Sequence, residues 1–521
     1  QIPASPFAES SALSAGKLFF RIKDYPQAEK WLAKATSTNG NNFAQASHWL
    51  CRCLLRQKKS AAAAKLATQA LTKVKDTDFL VQLKMDQADA IFELPDRKPD
   101  TIELYQALAK DHPNHELAPQ ALYNAAFAAM ELKQFEVAQS AAESFLEQYS
   151  KDTFVPDVKY VQAECLLLTK KYTQAEQLYL NLIESHPEAS DLNAWRVRCG
   201  LTKYLQDKYA DTITFLVEIV KELKEPQFKS EAQFLLGACE FYQEKFSRSI
   251  IHLKQAVEFG DQLKQIDEAL ILLGQAYASE TKFKQAVKIL SRILSDHQTS
   301  RFVTQANYLS GQYLSNDKSY DQAIKQYSAV LTAAPNKYVP FALYGRGWAF
   351  LNKKTNQEAL DDFSTIIENH SKHKLSADAY YSRGVTNRRL GLNSEAVADL
   401  DTCLKENSNF TNRMSALYEK GMALSSLKEY QKAAQTFERL ATDFGEDKDA
   451  DEYTYQLAWS HKLNKQPKKA AVQFRKLTTA FPKSPLAAES HYHVAEDLYQ
   501  AGKFDEAAKE YVLAVQKSKT P

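Results

Sequence analysis

Glycine and proline are scarce in this chain of 521 residues. It has 14 Gly and 16 Pro, about 6% together, where proteins average about 12%. These residues form most turns and interrupt helices. A chain of this length with so few of them is predicted to be mostly helical.

Other absences reduce the number of functional classes to which the chain could belong. No run of 18 apolar residues occurs, so no integral membrane segment is predicted. Lys and Arg total 66 against 64 Asp and Glu, a net charge of +2, which disfavours nucleic acid as a partner. Six cysteines are too few for a disulfide framework in a chain of this size.

No enzyme signature is present. The patterns G-x-S-x-G, G-x-x-x-x-G-K-[ST] and G-x-G-x-x-G do not occur. The histidine pairs, such as His370 and His373, have no third ligand at metal spacing. We therefore predict that the chain is not an enzyme, has no catalytic residues, and needs no metal or cofactor.

A repeat of about 37 residues runs along the chain. Its anchor is an aromatic residue followed three positions later by a small one, as in Tyr172 and Ala175 or Tyr430 and Ala433. The small anchor is Ala, Thr or Ser in every copy. It falls at positions 28, 63, 101, 138, 175, 212, 249, 286, 323, 359, 396, 433, 470 and 507.

A second small site lies twelve residues before each anchor and holds eight of the 14 glycines, for example Gly347 and Gly421. Glycine inside a helix costs about 1 kcal/mol relative to alanine, so a packing reason is expected. We expect two helices to cross closely there, at a point where neither carries a large side chain. Cys53, Cys165 and Cys239 share a neighbouring repeat position and are expected to be buried.

The pattern resembles the tetratricopeptide repeat, a pair of helices normally of 34 residues. Clear copies are residues 379–384 and the segment from Phe481 to Ala507. The resemblance implies an all-α fold, an α-solenoid (right-handed superhelix) of about 14 helix-turn-helix units. The expected divisions are an N-terminal lead over 1–8, three divergent units over 9–118, and eleven regular units over 119–521, with no obvious capping helix.

The period is longer than 34 residues, and His-Pro or Phe-Pro lies in the joint, the segment between successive helix pairs. In both respects the chain resembles bacterial cell-envelope members such as the coordinator of the Tol-Pal system. This implies a protein-protein interaction scaffold in the periplasm. The start at Gln1 fits a removed signal peptide or a trimmed chain equally well. Two alternatives stay open: a cytosolic adaptor or chaperone-like receptor, and the non-catalytic arm of an enzyme with several chains.

The resemblance also implies a site. Three residues before the second small site an aromatic residue recurs, and in the family this position faces the concave groove, as does the position four further on. The predicted contacts for a protein or peptide are Tyr123, Tyr160, Phe234, Tyr308, Tyr344, Trp348, Tyr381, Tyr418, Tyr455, Trp459 and Tyr492. The alternative is that these rings only pack between helices.

Charged residues lie near these eleven aromatic residues, which we call the ladder. Acidic residues three positions earlier, such as Glu452 and Glu489, would border the groove and favour an extended segment with apolar side chains and some Lys or Arg. Arg346, Arg383 and Lys420 recur beside the small site, either as a surface for an acidic partner or as packed side chains.

The last helix is apolar on more than one side. It carries Tyr511, Val512 and Val515, where a repeat array usually ends in a polar cap. Either further residues were removed beyond this point, or this end docks on another subunit or protein, so association through it is a second predicted contact.

Overall fold

A computed structural model describes residues 7–37, 39–75, 79–333, 335–406 and 411–518. These residues form 28 α-helices and two short 3₁₀ helices, and the described parts contain no strand. The chain divides into two compact units, residues 1–266 and 267–521, each of which is described by itself. The fold is therefore all-α, as the scarcity of glycine and proline predicts.

The first unit consists of consecutive helix pairs, in which each helix packs on the next in chain order. A 3₁₀ helix, Pro95–Arg97, precedes α6, and another, Gly260–Gln262, follows α14. The helices are α1 Ala8–Arg21, α2 Tyr25–Thr36, α3 Phe43–Arg56, α4 Ser60–Leu71, α5 Leu80–Phe92, α6 Asp100–Asp111, α7 Ala118–Glu131, α8 Phe135–Gln148, α9 Val155–Leu168, α10 Tyr172–Ser185, α11 Leu192–Tyr204, α12 Tyr209–Glu222, α13 Pro226–Tyr242 and α14 Phe246–Glu258.

The second unit also consists of consecutive helix pairs. Its first helix begins at Ile266, one residue before the start of the unit. The helices are α15 Ile266–Ser279, α16 Phe283–Asp296, α17 Val303–Asn316, α18 Tyr320–Thr332, α19 Val339–Asn352, α20 Asn356–Asn369, α21 Ser376–Arg389, α22 Asn393–Glu406, α23 Arg413–Ser426, α24 Tyr430–Asp443, α25 Ala450–Leu463, α26 Pro467–Ala480, α27 Ala487–Gln500 and α28 Phe504–Lys517.

The glycines of the second small site make room for one large side chain each. A Cβ on Gly347 would lie 2.7 Å from Cε1 of Phe363, and one on Gly421 would lie 2.5 Å from Cζ of Phe437. Both rings are fully buried, which contributes roughly 1.5–3 kcal/mol each. The same spacing of sixteen residues joins Gly16 to Leu32, Gly200 to Leu216, Gly237 to Leu253, Gly274 to Leu290, Gly311 to Tyr327 and Gly384 to Leu400.

The second helix places both a small and a large residue at this crossing, so the expectation that neither helix carries a large side chain there is wrong in one respect. The small anchor touches the first helix, as where the Ser249 hydroxyl donates to Gly237 O at 2.7 Å, and the large apolar residue four positions later fills the space beside the glycine. Asp89 in α5 occupies the repeat position that holds glycine in other pairs, and polar contacts satisfy its carboxylate there. The Tyr105 hydroxyl, sixteen residues later, donates to Asp89 Oδ1 at 2.8 Å, and Arg52 Nη1 donates to Oδ2 at 2.9 Å.

The cysteines are buried, as expected from their repeat position. All six are free thiols. Burial raises the pKa of Cys199 and of Cys239 to about 12, so both stay protonated at neutral pH. They act as small apolar residues of the core.

The turn inside each helix pair contains a residue in the left-handed conformation. Thirteen such turns are described, and Lys occupies eight of them with φ between 57° and 64°. We call these eight residues the turn lysines: Lys23, Lys58, Lys133, Lys170, Lys318, Lys354, Lys428 and Lys465. The following amide closes the first helix, for example Gln134 N donating to Ala129 O at 2.8 Å. Only α5 and α6 join differently, through the 3₁₀ helix.

Glu240 in α13 is the least satisfied acid of the core. It is 3% exposed, its Oε2 has no hydrogen-bond partner among the described residues, and its Oε1 lies 3.8 Å from His252 Nε2. Burial raises the pKa of Glu240 to about 7, although Arg248 and Lys245 oppose that rise. Burial also lowers the pKa of His252.

The turn lysines generate a stability prediction. A left-handed conformation costs a residue with a Cβ about 1–2 kcal/mol, a cost that glycine avoids. Lys133→Gly and Lys428→Gly should each raise the free energy of unfolding by about 0.5–1 kcal/mol, measured by urea titration. Lys288→Gly, in the middle of α16, is the control and should lower it by about 1 kcal/mol. A loss of stability in all three variants would contradict the turn geometry.

Glu240 generates a prediction on pH dependence. The folded carboxyl keeps its proton to about pH 7, whereas the unfolded one releases it near the usual value of 4.5. The folded state thus binds more protons in that window, so its stability falls as the pH rises through it. Glu240→Gln removes this loss and should gain about 2–3 kcal/mol over wild type between about pH 4.5 and pH 8. Denaturant titrations at both pH values measure this gain, and Glu438→Gln, at an exposed site, should show none.

Candidate functional site

The predicted ladder residues all lie on the first helix of a pair, on the side where neighbouring first helices meet. Within each unit, first helices of successive pairs contact one another more than second helices do, for example α7 with α9 and α19 with α21. The surface formed by first helices is therefore the concave side of each unit. This places the ladder positions on the side that the resemblance implies.

Exposure differs along the ladder. Tyr492 is 46% exposed, whereas Phe234 is 3% exposed and has no surface for a partner. The other members are half-buried: Tyr123, Tyr160, Tyr308, Tyr344, Trp348, Tyr381, Tyr418, Tyr455 and Trp459. Phe234 is therefore a core residue, and the rest keep some accessible surface.

Most of these rings also pack on a ring of the second helix of their own pair. Tyr344 lies 6.0 Å from Phe363 between ring centroids, and Tyr418 lies 6.2 Å from Phe437. The same spacing of nineteen residues pairs Tyr160 with Tyr179, Tyr308 with Tyr327, Tyr455 with Phe474 and Tyr492 with Tyr511, at 5.9 to 6.3 Å. Packing and exposure thus coexist in one side chain, since one part of the ring is covered and another is open.

Acidic residues of the next first helix approach the ladder hydroxyls. The Tyr418 hydroxyl donates to Glu452 Oε1 at 3.3 Å, across 34 residues. Burial and then Glu452 raise the pKa of Tyr418 to about 12. Burial and then the Glu489 carboxylate likewise raise the pKa of Tyr455. The acids that the pattern placed along the groove therefore touch the ladder.

A cavity of about 690 Å³ lies on this surface in the second unit. Its walls come from α21, α23 and α25 and from the joints before α25 and α27, with no residue of a second helix. The acids Asp449, Asp451, Glu419 and Glu452 outnumber the single cation, Lys448. The complete lining is Tyr381, Met414, Ser415, Tyr418, Glu419, Lys448, Asp449, Asp451, Glu452, Tyr453, Pro485 and Leu486.

The basic residues beside the small sites are engaged internally. Arg346 Nη2 donates to Asp362 Oδ1 at 2.7 Å and its Nε to Oδ2 at 2.9 Å, and Asp362 is buried. Arg383 binds Asp399 with the same two distances. Lys420 pairs with Asp401 at 2.5 Å. These side chains hold helix pairs together, so the reading as packed residues is supported over a surface for an acidic partner.

A buried ion network supports the ladder in the first unit. Arg198 lies between Glu164 and Glu231, at 3.1 and 3.7 Å. The Tyr179 hydroxyl donates to Glu164 at 2.6 Å, and Tyr160 packs on Tyr179. The position of Tyr160 is thus set by charged partners as well as by ring contacts.

A second cavity, of about 820 Å³, lies in the first unit among the divergent pairs. Tyr123 and Phe127 form part of its wall, together with Phe92, Arg56 and Lys58. The repeat pattern did not indicate this cavity, because the spacing is irregular there and a 3₁₀ helix replaces the usual turn between α5 and α6. In the sequence, this region departs from the pattern by its irregular spacing and by Asp89 at a small site.

The last helix presents the apolar face expected from its sequence. Val512 is 54% exposed and Val515 is 75% exposed, while Tyr511 is tied to Glu496 through its hydroxyl. A cavity of about 1090 Å³ lies between α28, α27 and the preceding joint, with Val515, Tyr492 and Pro482 in its wall.

The described parts of the chain hold no group of three or more His, Cys, Asp and Glu that could bind a metal ion. None of their helices has the length and apolar character needed to cross a bilayer.

Several solved structures are similar to this chain at low identity. A tetratricopeptide repeat protein from Parabacteroides merdae is 18% identical, with 51% of this chain and 98% of that chain covered, at a TM-score of 0.38. The C-terminal part of a repeat protein from Cytophaga hutchinsonii is 15% identical, covering 49% and 98%, at 0.42. YrrB, described as a TPR protein with an unusual peptide-binding site, is 19% identical, covering 39% and 96%, at 0.33.

Family models give the firmer comparison, since no curated protein matches the sequence. One model described as tetratricopeptide repeat matches residues 123–191, 320–374 and 455–520, and a second with the same description matches 415–446. Over these segments the chain therefore consists of tetratricopeptide repeats.

Proposed function

We propose that this protein is a non-enzymatic scaffold that binds a peptide or protein segment on the concave side of its helix pairs, in the bacterial cell envelope. Tetratricopeptide repeats in general mediate protein-protein interactions and are not catalytic. The long joints between pairs, which resemble those of envelope members, support the location. The single observation that carries the binding proposal is the acidic cavity lined by ladder tyrosines in the second unit.

The cavity has the chemistry of a peptide site. Tyr381, Tyr418 and Leu486 offer apolar surface, and half-buried tyrosines bring large contact area at low entropic cost. Asp449 and Glu452 add negative charge beside that surface. The favoured ligand is an extended segment with an apolar anchor and neighbouring Lys or Arg. Receptors of this fold that clamp a terminal carboxylate need Lys and Asn in the groove, where this chain has Tyr.

Reversing charge at the cavity tests this proposal without removing a packed ring. Asp449→Lys with Glu452→Lys should repel a basic segment and lower its recovery roughly tenfold or more, because each reversal places like charges together. The measurement is a crosslinked pull-down from source cells with mass-spectrometric identification. Wild type should recover envelope proteins that the variant loses.

The matched control is Glu358→Lys with Glu438→Lys, at exposed positions of the second helices α20 and α24. It makes the same change in net charge and should recover partners as wild type does. Equal recovery by all three proteins would show that partners bind elsewhere. A set of cytosolic partners would overturn the proposed location.

We also propose association through α28. Val512 and Val515 are exposed beside an open cavity, and burying two such side chains in a contact is favourable by roughly 1.5–3 kcal/mol each. Tyr511 lies beside them, partly exposed, where its ring packs on Tyr492 and its hydroxyl binds Glu496.

Polar replacement of the two valines tests this association. Val512→Gln with Val515→Gln should weaken any complex or self-association of the protein about tenfold or more, as measured by sedimentation velocity over a concentration series. Val472→Gln, at a 60% exposed site of α26, is the control and should leave it unchanged. If all three proteins sediment alike while the wild type is associated, the contact does not use α28.

A further inference from the structure

The turn lysines differ from the lysines that follow the left-handed residue, because some of those form ion pairs. In the first unit, Lys59 pairs with Glu29 at 2.7 Å and Lys208 with Glu176 at 2.9 Å. The eight turn lysines make no hydrogen bond or ion pair through the ammonium group within the described residues. All eight are exposed. Each unit thus holds four free ammonium groups, at the same position of four of its pairs.

Backbone preference does not explain these lysines. Glycine or asparagine is the favoured residue in a left-handed turn, and glycine does occupy two of the thirteen, Gly391 and Gly502. A lysine near the end of the first helix interacts favourably with the helix dipole. A neighbouring right-handed position would serve that purpose without the strain. The repeated choice of Lys therefore needs a reason outside the fold.

Charge is concentrated at these turns. We count four residues for each turn, from two before the left-handed residue to one after it. By this definition the thirteen turns contain eighteen Lys and Arg and seven Asp and Glu, a net charge of +11. The whole chain has a net charge of +2, so the remaining residues carry −9. The acids Asp24, Glu131, Asp207, Glu244, Glu280, Asp317 and Glu429 reduce the positive charge of the turns without cancelling it.

Exposed apolar side chains collect at the same turns. Of seventeen exposed large hydrophobic residues, eight lie within two residues of a left-handed turn residue, although such positions make up about an eighth of the chain. In the first unit they are Ile22, Leu168, Leu205 and Tyr242. In the second unit they are Leu390, Leu392, Leu463 and Phe504.

We propose that the edge formed by these turns in each unit binds an anionic lipid bilayer at its surface. Free lysines attract phosphate head groups, while exposed Leu, Ile and Phe side chains enter the boundary between head groups and acyl chains. A nucleic acid would use the charges but would leave these aliphatic side chains exposed, whereas a bilayer surface takes up both. Peripheral attachment also needs no membrane-spanning helix.

The test uses the full chain and vesicle sedimentation with two lipid mixtures, phosphatidylcholine alone and phosphatidylcholine with phosphatidylglycerol. Wild type should bind the anionic vesicles and not the neutral ones, and added salt should weaken binding. Replacing all eight turn lysines by Gly should weaken it roughly 100-fold or more. These replacements relieve backbone strain, so loss of binding would not reflect unfolding.

The control removes the same charge from second helices. It replaces eight exposed, unpaired lysines by Ala: Lys65, Lys110, Lys254, Lys288, Lys325, Lys468, Lys476 and Lys509. Binding should stay within a few-fold of wild type. A loss as large as that of the glycine variant would mean that net charge alone drives attraction, and would overturn the proposal.

A third variant separates the bilayer from soluble anions. Leu168→Ser with Leu463→Ser keeps every charge and should weaken vesicle binding several-fold, since less apolar surface enters the lipid. Unchanged binding by this variant would show that the edge recognises charge only, as an acidic protein would offer it. Absence of wild-type binding to anionic vesicles would also refute the proposal.

Discussion

One contact underlies both units: a large apolar side chain of the second helix enters the space left by a small residue on the first. Phe363 against Gly347 and Phe437 against Gly421 show how close the approach is, because any Cβ would lie within 3 Å of the ring. The contact joins residues sixteen apart, so it needs only the turn between them to form. Each pair can then be stabilised locally, and neighbouring pairs add interfaces of the same kind.

This contact also determines what the ladder tyrosines can do. Because the second helix supplies a ring nineteen residues after each tyrosine in most pairs, one part of that tyrosine is covered by its own pair. The rest remains accessible between first helices, where the acids of the next pair reach its hydroxyl, as Glu452 reaches Tyr418. Packing and partner binding are therefore uses of different parts of the same side chain. Phe234 is the exception, being fully covered.

The sequence predicted the features that follow from periodicity and missed those that follow from individual contacts. The period, the all-α fold and the placement of the ladder on first helices could be derived, because every copy repeats the same spacing. The role of Asp89 could not, since the hydroxyl of Tyr105 that binds it lies sixteen residues away and only folding brings them together. Arg346 was ambiguous for the same reason, as its partner Asp362 is visible only in the folded pair.

The turn lysines show a different limit. A net charge near zero excluded a strongly basic protein, but it is an average over surfaces of opposite sign. A repeat places one position of every pair along the same edge, so a modest preference for Lys in the turns becomes an extended basic surface. The acids near the ladder do the same on the concave side with opposite sign. Basic segments and anionic surfaces would then use separate faces of each unit, which lets a scaffold bind both without competition.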